Sequence, residues 1–205
     1  MTEKFTVYLV DDDPGVLKAL SRLLRAKGHD VKPYSSPQVF LEEHDVAVPG
    51  CVVLDVSMPG LDGLEIQRVL TAASGYHRPV VFVTGKGDIP TSVRAMKAGA
   101  IDFLTKPVKD KDLFEAVSRA EARDAESRRL HSELESMQAK VSNLTPRERE
   151  VLTHVVAGRL NKQIDGDLGT VEKTIKVHRS RMMEKLGIRM VADLVRMAEK
   201  LNLSK

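Results

Sequence analysis

Three consecutive aspartates, Asp11–Asp13, directly follow a short apolar run near the start of the chain. Asp55, Thr84 and Lys106 stand at or just after the ends of three later apolar runs. Clustered carboxylates repel one another, so they either raise their pKa values or recruit a cation. All-oxygen ligands suit Mg²⁺, and a carboxylate can attack phosphorus to form an acyl phosphate. These residue types predict magnesium-assisted phosphoryl transfer, with the ammonium and the hydroxyl contacting the phosphoryl oxygens.

Five β-rich runs that alternate with helical patterns would bring these residues together. The runs are Thr6–Val10, Val31–Tyr34, Cys51–Leu54, Val80–Val83 and Ile101–Leu104. The first, third and fourth are almost continuous in Val, Leu and Ile, which is typical of strands covered on both faces. Alternation with helices predicts an α/β domain with a doubly wound, five-stranded parallel sheet. Because such sheets bind ligands at the carboxyl ends of their strands, we expect the four sites to converge at one edge.

Composition narrows the class of protein. The 205 residues are 42% hydrophobic, and their number fits two small domains. A single cysteine, Cys51, excludes a disulfide framework and metal sites built on paired cysteines. The chain shows neither a signal-peptide pattern nor an apolar run of roughly 18 residues, so we expect a cytoplasmic protein without a membrane span.

The second part of the chain differs in charge and in pattern. Residues 1–124 carry 16 Lys and Arg against 18 Asp and Glu, whereas residues 125–205 carry 16 against 11. The basic part is therefore the candidate for binding a polyanion. The segment Lys111–Ser142 lacks Gly and Pro, which predicts a long helix of about 45 Å. Its apolar residues follow a heptad spacing that suits either a solvated linker or a dimer seam; they are Leu130, Leu134, Met137, Val141 and Leu144.

Strand patterns are absent after Asn143, and glycines divide the rest into four short helical pieces. Thr145, followed by Pro146, predicts a helix N-terminus. Asn161–Leu168 and Val171–Leu186 fit a helix-turn-helix. On a helical wheel the second helix has an inward face of Val171, Ile175, His178, Met182 and Leu186. Its outward face holds Lys173, Lys176, Val177 and Ser180, with Arg179 and Arg181 at the flanks, and suits DNA or simple solvation.

Residues 4–122 resemble a response-regulator receiver domain. The matching motifs are VYLVDDD at Val7–Asp13, VVLDVSMPGLDG at Val52–Gly63, VVFVTG at Val80–Gly85, AMKAGA at Ala95–Ala100 and DFLTKP at Asp102–Pro107. The resemblance implies that Asp55 is the phospho-acceptor and a Mg²⁺ ligand. Asp12 and the Ser57 backbone carbonyl would also bind Mg²⁺ directly, and Asp11 would help to hold the ion through water. The resemblance further implies that Thr84 and Lys106 contact the phosphoryl group, that Lys106-Pro107 is cis, and that Thr84 and Phe103 form the switch. We expect Asp13 and Pro14 to have at most a modest effect.

The basic part contains LTPREREVL at Leu144–Leu152, Ala157-Gly158, Asn161-Lys162, Ile164, Leu168-Gly169, Thr174–His178 and Lys185–Ile188. With these motifs, residues 144–198 resemble the LuxR-type tetrahelical DNA-binding domain. We expect this domain to span residues 143–205 and a linker helix over residues 123–142 to join it to the receiver. The resemblance implies base contacts from Lys176, Val177 and Ser180. Backbone contacts would come mostly from Asn161, Lys162, Lys173, Thr174 and Arg179. The sequence departs from the family pattern at two places. At the first, Asp165 replaces a small apolar residue and is followed by Gly166; a buried carboxylate there would be costly, and the glycine weakens its helix. Val171 replaces the usual Ser cap of the second helix, so we expect Thr170 to cap it instead.

Both domains, in this order, resemble the NarL/FixJ family of transcription regulators, and the segment Thr84–Pro107 resembles its FixJ branch most. This resemblance implies a sensor histidine kinase similar to FixL, a homodimer formed on phosphorylation, and double-stranded promoter DNA and RNA polymerase as partners. It further implies activation of nitrogen-fixation genes under oxygen control, and no enzyme activity beyond the protein's own phosphoryl chemistry. One alternative is a Mg²⁺-dependent aspartyl phosphatase, and another is a regulator that acts by protein contact or on RNA.

Overall fold

The computed structural model describes residues 4–72, 76–85 and 88–203, with the side chains of residues 71 and 72 excepted. Two residues of the segment Thr84–Pro107, and the last two of the predicted helical domain, therefore lie outside the described residues. The chain divides into two compact units between Arg129 and Leu130, and each unit is described by itself.

The first unit contains a five-stranded parallel sheet with the strand order β2-β1-β3-β4-β5. Its strands are β1 Thr6–Val10, β2 Asp30–Tyr34, β3 Gly50–Asp55, β4 Val80–Thr84 and β5 Asp102–Thr105. Every residue of β1, β3 and β4 is buried, as their almost continuous apolar sequences predict. The predicted fold class is confirmed.

Helices cover both faces of this sheet. They are α1 Pro14–Ala26, α2 Pro37–Glu43, α3 Gly63–Ala72, α4 Ile89–Lys97 and the start of α5, which spans Asp110–Ser142. Successive strand residues point to opposite faces, so Tyr8 and Val10 pack into one core with α2 and α3, while Val7 and Leu9 pack into another with α1 and α5. Because alternate side chains of each strand must enter the correct core, the pairing register between strands is fixed, and the carboxyl ends of the strands lie side by side.

The second unit contains the end of α5 and the helices α6 Pro146–Val156, α7 Asn161–Asp167, α8 Glu172–Leu186 and α9 Val191–Lys200. Thr145 caps α6 as predicted and shares a capping box with Glu148. The long helix is also confirmed, since α5 has 33 residues. Met137, Val141 and Leu144 of the heptad pattern pack against the core of this unit. This packing leaves Leu130 and Leu134 as the seam residues outside that core.

Three expectations about the helix-turn-helix are wrong. Val171 does not face inward, because its side chain is 63% exposed. It is the N-cap residue of α8 with an extended backbone, and no side chain caps the helix, so Thr170 does not serve as the cap. Asp165 is only half-buried, so the cost of a buried carboxylate does not arise, and α7 continues through Gly166.

Among the described residues, no helix combines the length and the apolar character needed to cross a membrane.

Candidate functional site

Three carboxylates lie together at the carboxyl edge of the sheet. Val10 and Leu54 are register partners on neighbouring strands, so the residues that follow them, Asp11 and Asp55, leave the sheet side by side. Carboxylate oxygens of Asp11, Asp12 and Asp55 all lie within 4.8 Å of one another. Asp11 and Asp55 are buried, whereas Asp12 is exposed. The predicted convergence of strand ends is thus present for these residues.

Lys106 supplies the positive charge of the site. Its Nζ lies 2.6 Å from Asp11 Oδ2 and 3.3 Å from Asp55 Oδ1. Its backbone N–H donates to the carbonyl oxygen of Thr84 at 2.8 Å, which ties the end of β5 to the end of β4. The Lys106-Pro107 peptide bond is cis, as the resemblance implied.

Backbone amides hold the other carboxylate oxygens of Asp11 and Asp55. The N–H of Asp13 donates to Asp11 Oδ1 at 3.0 Å, and the N–H of Ser57 donates to Asp55 Oδ2 at 3.3 Å. Ser57 therefore lies beside the acidic cluster with its side chain exposed. Asp11 is fixed at both oxygens, one by an amide and the other by an ammonium.

The electrostatics of the site follow from this arrangement. Burial raises the pKa of Asp55 above its ordinary value, the Lys106 ammonium offsets part of the rise, and the Asp11 carboxylate adds to it. Burial alone would lower the pKa of Lys106, but the hydrogen bond and charge of Asp11, together with Asp55, outweigh it and raise that pKa. The ammonium thus stays protonated beside carboxylates that repel each other.

Thr84 and Phe103 occupy the neighbouring strand ends. Thr84 is fully buried at the end of β4, directly after Val83, which is the register partner of Asp55. Phe103 is half-buried and packs against Phe82 with ring centroids 6.0 Å apart. Both residues therefore lie on the strands next to the acidic cluster.

The donor set suits a magnesium ion. Its ligand atoms are all carboxylate oxygens, as Mg²⁺ prefers, and the exposed Asp12 gives the cluster access to solvent. Mg²⁺ dehydrates reluctantly and keeps several waters, which the exposed side of the cluster can accommodate. The residues present therefore fit the ion that the sequence predicts.

A second candidate site lies on α8. Lys173, Lys176, Val177 and Ser180 are exposed as predicted, whereas Thr174 and Arg179 are half-buried. Lys176 forms an ion pair with Glu172 at 2.9 Å within the helix. The outward face of α8 is therefore basic and accessible in the part of the second unit that the structure describes.

Helix α7 contributes to the same surface. Arg179 Nη1 donates to Asn161 Oδ1 at 2.9 Å, which links α8 to α7, while Lys162 is exposed and His178 is half-buried. An open groove of about 310 Å³ runs between the helices and is lined by Asn161, Lys176, Arg179, Ser180, Met183, Arg189 and Val191. Arg189 lines this groove but is not among the predicted DNA contacts. It lies after Gly187, where α8 ends, so a helical wheel of α8 does not include it.

Family comparisons agree with both sites. Residues 7–118 match the family described as the response regulator receiver domain, and residues 142–198 match the bacterial regulatory proteins of the LuxR family. The chain belongs to the two-component response regulators that join a receiver to a LuxR-type helix-turn-helix, the NarL/FixJ family. The Asp11, Asp12 and Asp55 cluster is typical of a receiver magnesium site.

Individual relatives match almost the whole chain. Nodulation protein W of Bradyrhizobium diazoefficiens is 41% identical over 98% of this chain and 88% of its own length. Response regulator protein TmoT of Ectopseudomonas mendocina is 42% identical over 97% and 90%, and the transcriptional regulatory protein FixJ of Azorhizobium caulinodans is 40% identical over 97% and 93%. The solved structure of response regulator StyR has a TM-score of 0.80 and 45% identity, covering 96% of this chain and 99% of that one.

These comparisons decide between the classes that the sequence left open. Members of this family regulate transcription and are not catalytic enzymes, so the phosphatase alternative is wrong. The second unit is a LuxR-type DNA-binding domain, and the receiver implies a sensor kinase as its partner.

Proposed function

We propose that the chain accepts a phosphoryl group on Asp55 from a sensor histidine kinase and then binds promoter DNA. The observation that carries the proposal is the position of Lys106, whose ammonium contacts the carboxylates of Asp11 and Asp55 at once. A cation in this position would stabilise a dianionic phosphoryl group on Asp55, which supports the role of that carboxylate as the nucleophile. Asp55 ends a fully buried strand, so the sheet holds the nucleophile in position.

Three groups would hold Mg²⁺ together with Asp55: the carboxylates of Asp11 and Asp12 and the backbone carbonyl of Ser57. When bound, the ion would offset negative charge on the phosphoryl oxygens during transfer. Lys106 would contact one of those oxygens and Thr84 another, each from the end of a neighbouring strand.

Transfer requires the ionised form of Asp55. One of its oxygens attacks phosphorus, the bond between phosphorus and the donor histidine nitrogen breaks, and the imidazole leaves with a proton taken from solvent. Burial raises the pKa of Asp55, and the charge of Lys106 offsets part of that rise, which favours the ionised form that attacks.

The output would begin at the strand ends. Thr84 would turn toward the phosphoryl group and Phe103 would follow inward, altering the receiver surface and favouring a homodimer. Lys176, Val177 and Ser180 would then read bases in the major groove, while the remaining predicted contacts would meet the DNA backbone: Asn161, Lys162, Lys173, Thr174 and Arg179. Arg189 lines the same groove and would add a contact.

The physiological setting rests on the relatives. A kinase similar to FixL, RNA polymerase as a partner, transcriptional activation and a cytoplasmic location follow from the resemblance to the FixJ branch. The role in nitrogen fixation stays a prediction, because regulators with other names match this chain as well as FixJ does.

Binding of duplex DNA with and without acetyl phosphate tests the proposal. The phosphodonor should tighten binding of the full chain to a target fragment in the presence of Mg²⁺, and Asp55→Asn should abolish the increase. Affinity should fall steeply with salt on duplex DNA, because bound Lys and Arg release counterions. An unchanged response in Asp55→Asn would refute Asp55 as the acceptor, and equal binding to single-stranded RNA would favour the RNA alternative.

A further inference from the structure

Asp13 caps the helix that follows the acidic cluster. Its Oδ1 accepts hydrogen bonds from the backbone N–H of Gly15 at 2.7 Å and of Val16 at 3.3 Å. Pro14 stands at the first helical position, and the first turn of α1 contains no acidic side chain. The cap therefore supplies both the hydrogen-bond acceptor and the negative charge that a helix N-terminus favours.

The backbone of the same residue holds Asp11. The N–H of Asp13 donates to Asp11 Oδ1 at 3.0 Å, while Lys106 donates to Asp11 Oδ2 at 2.6 Å. The orientation of the Asp11 carboxylate thus depends on where the chain places the amide of residue 13. The extended backbone of Asp13, with φ −86° and ψ 111°, is the conformation that its own cap requires.

Gly15 leaves the room that this cap needs. A Cβ atom added at Gly15 would lie 3.0 Å from Asp13 Oδ1, which is closer than ordinary van der Waals contact allows. Any larger residue would press on the capping carboxylate. Asp13 and Gly15 therefore fit each other as one local unit.

We propose that Asp13 is a positioning residue for the phosphorylation site: its cap on α1 fixes the amide that orients Asp11 toward the magnesium position. This inference rests on the proposed function of the acidic cluster. It assigns the effect to the cap geometry of Asp13, and a purely electrostatic role of its charge is the competing explanation.

Three variants of the full chain distinguish the effect of the capping hydrogen bonds from the effect of the negative charge of Asp13. Asp13→Ser and Asp13→Asn keep a capping side chain but remove the charge, whereas Asp13→Ala removes both. Mg²⁺ affinity is measured by calorimetry in about 0.5 M salt, where the field of an exposed charge is largely screened. The control is Ser36→Ala, which removes the cap of α2 and loses a comparable amount of stability elsewhere in the same unit.

We expect Asp13→Ala to weaken Mg²⁺ binding by up to about fivefold, the change that corresponds to the loss of one N-cap of about 1 kcal/mol. Asp13→Ser and Asp13→Asn should stay within about twofold of the wild type, and Ser36→Ala should match it. The amide of residue 13 should also exchange its hydrogen faster in Asp13→Ala without any metal. Gly15→Ala should weaken Mg²⁺ binding in the same direction as Asp13→Ala.

Wild-type affinity in Asp13→Ala would overturn the proposal, and so would equal weakening in all three variants, because charge would then be the cause. A loss of Mg²⁺ affinity in Ser36→Ala as large as that in Asp13→Ala would also overturn the proposal, because general destabilisation of the unit would then explain the effect. If the wild type binds no Mg²⁺, the proposed function fails. The amide exchange, which needs no metal, still tests whether Asp13 orders the loop.

Discussion

Replacement of Lys106 by Met should raise the pKa of Asp55 further above its ordinary value. The variant keeps an unbranched side chain of similar length and removes an ammonium that lies 3.3 Å from Asp55 Oδ1 and 2.6 Å from Asp11 Oδ2. Both carboxylates lose the cation that stabilises their ionised forms, and their mutual repulsion is no longer offset.

The distances give the size of the effect. Two unit charges 3.3 Å apart interact by about 1 kcal/mol in a water-like medium and by about 5 kcal/mol at an effective dielectric constant near 20. The side chain of Lys106 is 22% exposed and that of Asp55 is 6% exposed, so the energy should fall between these limits. Since about 1.4 kcal/mol corresponds to one pKa unit, a titration will resolve the change.

Carboxyl ¹³C titration of the metal-free full chain measures this pKa directly. Lys111→Met is the matched control, because Lys111 is 83% exposed and pairs only loosely with Glu115 at 3.8 Å. An unchanged or lowered pKa in Lys106→Met would refute the electrostatic account of the site.

Two further predictions concern stability. Glu148→Gln should lower the free energy of unfolding at pH 7 by about 1–3 kcal/mol. The hydrogen bond from Lys185 lowers the pKa of Glu148. The ionised carboxylate therefore stabilises the folded state fully above about pH 4.3, and this stabilisation is lost as the pH falls through the lowered pKa. A difference in unfolding free energy between the variant and the wild type that is the same at every pH, measured by chemical denaturation, would contradict this. Arg128→Ala should cost about 3 kcal/mol, because it leaves Asp124, which is 1% exposed, without this cation and removes the donor to the carbonyls of residues 46–48. Arg129→Ala, which breaks an exposed pair, should cost less than about 1 kcal/mol, and equal melting temperatures for the two arginine variants would contradict the assignment.

The sheet and the acidic cluster could be predicted because strands buried on both faces have almost continuous apolar sequences. The strands β1, β3 and β4 are covered on both faces, so their side chains are almost all apolar, and their predicted ends lie within one residue of the observed ones. Once these strands are parallel, Asp11 and Asp55 must share an edge. The edge strand β2 is mostly exposed, and its first residue, like that of the buried strand β3, is predicted one position too late.

The errors arose where a residue leaves the regular geometry. Val171 lies on the inward side of a helical wheel, but it is the N-cap with an extended backbone, so the wheel does not apply to it. Asp13 is followed by proline, which is a signal for a helix cap, yet no cap is predicted there from the sequence and only a modest effect is expected of the residue. The contact of Lys106 with Asp11 joins residues 95 positions apart, and only the folded sheet shows it.

The central claim is that Asp55 takes the phosphoryl group. The most direct measurement treats the full chain with acetyl phosphate and Mg²⁺ and locates the added phosphoryl group by peptide mass spectrometry. The account predicts one phosphoryl group on the peptide that contains Asp55, none in Asp55→Asn, and normal labelling in Asp45→Asn, whose carboxylate is exposed before the opposite end of β3. Labelling of Asp55→Asn to the wild-type extent, or a phosphoryl group on another residue of the wild type, would contradict it.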